Sequence, residues 1–192
     1  MANKILRAHS ISEVAKQSPF SFFKTIKADL IANGGAPSSL RFFRLLLTHS
    51  GCQLLLIFRL QSCLKGFDNI AIAFLRSVLM KVATDLTGCH VAPDAHLEAG
   101  ISLPHATGIV IGEGVIIHKN VTIYQNVTLG IAVRGEKNYP ELFEGSIVYC
   151  GAQVLGKITI GVDAIVGANA VVLQSVPDNA LAVGIPARII QK

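Results

Sequence analysis

Among the six histidines of the chain, His105 stands in the string LPHATGIVIGEG, between an aliphatic run and a cluster of small residues. An imidazole with a pKa of about 6.5 accepts a proton near neutral pH, which an alcohol does not surrender unaided. His105 is therefore either a general base or a corner residue satisfied by a backbone carbonyl; residue type and neighbours leave both open. His118, at the turn of VIIHKN, reads as a solvated corner, and His9 and His49 carry no signal. No tight ligand spacing occurs, so no metal is expected. Cys52, Cys63, Cys89 and Cys150 are widely spaced with no C-x-x-C pair, and read as buried reduced thiols.

The elements that must hold such a histidine change their period at Gly88. From about residue 20 to 86, segments such as SLRFFRLLLTHSGCQLLLIFRLQSCLKG and DNIAIAFLRSVLMKVATDL place apolar residues at helical spacing. Gly34, Gly35, Pro37 and Gly66 divide this region into two or three helices, with Asp68 and Asn69 as an N-cap. Beyond Gly88, Val91, Leu97, Leu103, Ile109, Val115, Val121 and Val127 recur every six residues. Ser146, Ala152, Ile158, Ala164, Ala170, Val176 and Ala182 continue the spacing in a shifted register.

Gly or Asn closes many of the sixes, as in IVIGEG and VTIYQN, where a short strand must turn through left-handed angles. Such units bury their apolar side only by stacking on one another. The expected architecture is mainly β: a parallel β-helix of hexapeptide repeats over residues 89–192, preceded by a small α-helical N-terminal region over residues 1–88. The register slip predicts an excursion loop at 131–145, IAVRGEKNYPELFEG, of the kind on which function gathers. Periodicity does not set the hand of the coil.

A hydrophobic fraction of 51% argues against disorder. The net charge is +5, carried by residues 1–89, with eleven Lys or Arg against four Asp or Glu. No recognition motif accompanies that charge, so no nucleic-acid partner is expected. The longest uncharged apolar stretch, LLLTHSGCQLLLIF, lies between Arg44 and Arg59 and is too short to span a bilayer. The N-terminus lacks the apolar run of a signal peptide. These features predict a cytoplasmic protein, with peripheral contact of the basic helical region to the inner face of the membrane as a further expectation.

The hexapeptide run, HATGIVIGE, VTIYQNVTLG, the C-terminal GANAVVLQSVPDNALAVGIPARII and the entry segment TGCHVAPDAHLEAG together resemble the serine O-acetyltransferase branch of the left-handed β-helix (hexapeptide) acyltransferases. The resemblance implies a left-handed coil, transfer of acetyl from acetyl-CoA as co-substrate to a hydroxyl, and a homotrimer or a dimer of trimers with sites between neighbouring coils. It makes His105 the general base. It also implies close backbone approach at Gly130, a pantetheine arm over Gly151 and Ala168, and phosphates near Arg188 and Lys192.

The pattern departs from that branch around the acceptor. His90 stands where the family has the aspartate that orients the base, Pro104 where it has an aspartate directly before the histidine, and Asn138, Tyr139 and Pro140 where it has R-H-P. The orienting group for His105 is then a backbone carbonyl, Glu98 or Glu113, unless His90 shares the proton work. Asp29 fits an acidic serine-binding residue poorly in spacing. Asn138 and Tyr139 offer neutral contacts, which suit a sugar better than a zwitterion. The expected acceptor is thus a sugar hydroxyl in glycan or surface polysaccharide biosynthesis. The alternatives are L-serine as acceptor, and a catalytically silent hexapeptide assembly subunit.

Overall fold

The computed structural model describes residues 19–34, 39–65, 67 and 69–191. His9, Gly35, Pro37, Gly66, Asp68 and Lys192 lie outside them. Among the described residues the helical region holds four helices rather than two or three: α1 (Pro19–Ala32), α2 (Ser39–Thr48), α3 (Ser50–Cys63) and α4 (Ile70–Thr87). The additional break falls at His49, whose backbone is extended (φ −112°, ψ 108°) and whose Nδ1 accepts the Cys52 N–H at 3.3 Å. Histidine fills a capping role usually taken by Ser, Thr, Asp or Asn, so nothing in the local sequence announces the boundary. Asn69 caps α4 by accepting the Ala71 N–H at 2.8 Å, and Gly88 ends it in the left-handed region at φ 68°.

The coil then builds three faces. The first holds β1 (His90–Val91), β3 (Val110–Ile111), β6 (Thr128–Gly130), β9 (Gln153–Leu155) and β12 (Val171–Val172). The second holds β2 (His96–Leu97), β4 (Ile116–Ile117), β7 (Glu141–Leu142) and β10 (Thr159–Ile160). The third holds β5 (Thr122–Ile123), β8 (Ile147–Val148), β11 (Ile165–Val166), β13 (Leu181–Val183) and β14 (Arg188–Ile190). Val110 pairs in parallel with Thr128, three sixes later, whereas Thr128 pairs with Gln153, because the excursion loop intervenes. β14 returns antiparallel along β13, and the same segment bonds β12 through Ala187 N–H to Val171 O (2.8 Å) and Val171 N–H to Gly184 O (3.0 Å).

Both series of sixes point inward and are buried, and a second column two residues on (Ile111, Ile117, Ile123, Leu129) joins the first. Each fully buried aliphatic side chain contributes about 1.5–3 kcal/mol. Asn120, Asn126, Asp163 and Asn169 turn the corners at positive φ. Each sits against a glycine of the preceding coil, so a Cβ at Gly151 would collide with the Asn169 side chain.

Leu54, Leu55, Phe58, Met80 and Ala83 of the helices belong to the same buried cluster as the coil. Segment 100–103 has no earlier strand to pair with, and α1 takes that place with side chains. Asp29 Oδ1 accepts the Gly100 and Ile101 N–H groups at 2.8 and 3.1 Å. Asn33 accepts the Leu103 N–H at 2.8 Å and donates to Ile101 O at 2.9 Å.

Cys52 and Cys89 are buried as expected, but Cys63, the last residue of α3, is exposed and Cys150 is half-buried at a corner. α4 leaves Ile70, Phe74 and Leu86 uncovered, and among the described residues no helix is long and apolar enough to cross a membrane.

Candidate active site

Leu103 is buried in the third face, and the chain turns at Pro104 and His105 toward β3 of the first face. The turn is tight, with Thr107 N–H donating to the His105 carbonyl at 2.8 Å, and the His105 side chain is exposed at this edge of the prism. One coil on, Tyr124 presents its ring 6.5 Å from the imidazole, tilted by 52°. Tyr149, on the next coil, stacks on Tyr124 at 5.1 Å and 15°. Gly151 follows on the same edge, and the Asn169 beneath it brings Ala168 to the coil after. An exposed imidazole and two small corner residues thus share one edge, joined by a pair of stacked tyrosines.

The helical region reaches the same place. The first turn of α3 is pressed onto the strand that leads to His105, where a Cβ at Gly51 would collide with the Leu103 carbonyl and lie 3.2 Å from His49 Cε1. Burial, and then the charge of His105, lower the pKa of His49 below 6.5. Among the described residues no carboxylate reaches a ring nitrogen of His105.

The other candidates are placed as follows. His90 is exposed on β1, with its N–H donated to Ile109 O at 2.8 Å. Glu113 lies at the edge between the first and second faces, in a cleft of about 320 Å³ lined also by Asp94, Lys137, Asn138, Tyr139 and Lys157. Tyr139 folds back over Gly112 and Gly114, where any Cβ would strike its ring, and Asn138 donates to Glu136 at 2.7 Å. Within one chain, therefore, the excursion loop packs against a different edge from His105. Gly130 ends β6 with open space where a side chain would stand, and Arg188 is exposed on β14.

His118 is not a solvated corner. Its ring is half-buried and stacked on Phe143 at 4.9 Å, with Nδ1 3.3 Å from Glu98 and Nε2 2.9 Å from Glu141. Glu98 is thereby occupied. Sequence reasoning missed Tyr124 and, stacked behind it, Tyr149, which counting one and two coils on would have found, and His49, which no local signal marks. Among the described residues no group of three His, Cys, Asp or Glu side chains is placed to hold a metal.

No protein-family model matches the chain. A serine acetyltransferase of Bacillus pumilus is 34% identical over 171 residues, 88% of this chain and 77% of that protein. A serine acetyltransferase solved in complex with CoA superposes with a TM-score of 0.77 at 33% identity, covering 93% of this chain and 73% of the other. Soybean serine acetyltransferase complexed with serine gives a TM-score of 0.79 at 33% identity, covering 88% and 70%. These relations establish the left-handed hand of the coil, which six-residue periodicity could not. With an exposed imidazole on one edge of a left-handed β-helix and kinship at a third identity over most of its length, the chain belongs to the serine acetyltransferase family and is an acetyl-CoA-dependent O-acetyltransferase.

Proposed function

We propose that the acceptor is L-serine and that His105 is the general base. What supports the reading is the exposed His105 imidazole on the edge it shares with Gly151 and Ala168, in a chain 34% identical to a serine acetyltransferase. The neutral ring takes the hydroxyl proton as the serine oxygen attacks the thioester carbon. The tetrahedral oxyanion, met by backbone N–H groups at the open space of Gly130 on the excursion-loop edge of the neighbouring copy, then collapses and the C–S bond breaks. The proton passes to the departing CoA sulfur, leaving O-acetylserine and CoA. Ala168 and Gly151 leave room for the pantetheine arm, although Gly151 also has its own reason to be glycine in the packing against Asn169. Arg188 meets the phosphates with its fixed donors.

Among the described residues no acid of the same chain orients His105, and the cleft holding Glu113, Asn138 and Tyr139 lies on the adjoining edge. A homotrimer in which that edge of one copy faces the His105 edge of the next completes the site. Light scattering tests it, and a monomer at working concentration overturns it.

A sugar hydroxyl is the second reading, favoured by two observations. The acid of α1 that could have held a serine ammonium, Asp29, is consumed by Arg59 and by two backbone N–H groups, and Pro104 precedes the base. A CoA-release assay with L-serine and with sugar acceptors decides. Serine-dependent turnover that is lost in His105→Ala supports the first reading, sugar-dependent turnover the second, and turnover that survives His105→Ala overturns the base in both.

A further inference from the structure

His49 was silent in the sequence, and its capping role does not exhaust it. Because Nδ1 accepts the Cys52 N–H, the proton of the neutral ring sits on Nε2, and Nε2 has no partner among the described residues. The contact of Gly51 with the Leu103 carbonyl fixes this ring over the strand two residues before His105. The two imidazoles are close enough for the charge of one to oppose that of the other, and burial acts in the same direction, so His49 is held neutral as a donor. Tyr124 bounds His105 from the next coil. An N–H with no protein partner among the described residues, on a partly exposed ring carried by the helix start that packs against Leu103, is a binding group for an oxygen of whatever His105 deprotonates.

We infer that His49 is an acceptor-binding residue of this enzyme: its Nε2–H donates to an oxygen of the bound acceptor while His105 takes the proton of the reacting hydroxyl. For serine that oxygen is a carboxylate oxygen, and His49 supplies from the helical region a donor to it on the His105 side of the site. The inference rests on the proposed acetyl transfer at His105.

The test separates the cap from the donor. Asn is at least as good an N-cap as His, so His49→Asn keeps α3 in place and removes only the imidazole, whereas His49→Ala removes both. Wild type and both variants are assayed with acetyl-CoA and L-serine or the sugar acceptor that wild type turns over, with thermal unfolding alongside. The expected result is an acceptor KM raised about 10- to 100-fold in both variants, as for a lost hydrogen bond to a charged group. The KM for acetyl-CoA stays unchanged, and Tm falls only in His49→Ala. An acceptor KM in His49→Asn equal to wild type overturns the assignment and leaves the acetyl-transfer reading standing, as does an equal rise in both KM values. A wild type that turns over neither class of acceptor overturns that reading and this assignment with it.

Discussion

Arg59 and Asp29 form an ion pair inside the junction between helices and coil, Nε to Oδ2 at 2.9 Å, with side chains only 6% and 5% exposed. Arg59 also donates to the Leu97 and Glu98 carbonyls at 2.5 and 2.7 Å, so the pair clamps α1 and α3 to the coil just before the strand of His105. Removing one partner leaves the other charged and buried, which costs about 3–5 kcal/mol. Arg59→Met is expected to lose that much in urea unfolding. Asp29→Ala loses more, because the Gly100 and Ile101 N–H groups are orphaned as well.

The same junction makes Gly51 irreplaceable for steric reasons. In Gly51→Ala the new methyl meets the Leu103 carbonyl, and the first turn of α3 or the His105 strand must shift. Overpacking of this kind costs about 1–3 kcal/mol. A drop in kcat/KM should accompany it, read from steady-state rates on protein that remains folded.

His105→Ala should separate chemistry from folding. An exposed side chain removed from a turn changes stability by about 0.5 kcal/mol or less. A lost general base lowers kcat by roughly 10²- to 10⁴-fold. Circular dichroism melts and single-turnover rates on the same preparation check both halves.

Stability should decline in mild acid through His96 and His49. Burial foremost, with His118, Arg59 and Lys65 against the opposing pull of Glu98, lowers the His96 pKa from 6.5, and His49 is lowered as well. The unfolded chain therefore binds these protons first. Stability is full above about pH 6.5 and is lost as the pH falls below it toward the lowered values. His96→Gln should flatten that limb of a plot of urea midpoint against pH.

Cys52 should resist alkylation. Burial and then the Asp29 carboxylate push its thiol up to about 11, so the nucleophilic thiolate is scarce at pH 8. Iodoacetamide mapping by mass spectrometry should leave Cys52 unmodified in the native protein and label it once urea unfolds the chain.

The coil was legible because its rules are local. An aliphatic every sixth residue with Gly or Asn at the corner says where each strand sits, and Leu103 and Val121 are buried where that spacing puts them. Asn69 and Gly88 announced the ends of α4 for the same reason. What was not legible depends on distance in the chain. Asp29 and Asn33 serve backbone groups some seventy residues away, and His49 meets the His105 strand only because α3 docks there. The Glu98–His118–Glu141 arrangement needs the pitch of the first coil and the length of the excursion loop before its members can be matched. Local spacing carries neither.

The antiparallel return of β14 closes off the last rung of the third face. A parallel coil that simply stopped at β13 would offer its last rung as a template, and one solenoid could cap the next without limit. Reversing direction presents the wrong polarity for that pairing, so this rung is a poor template for continuing the coil along its axis.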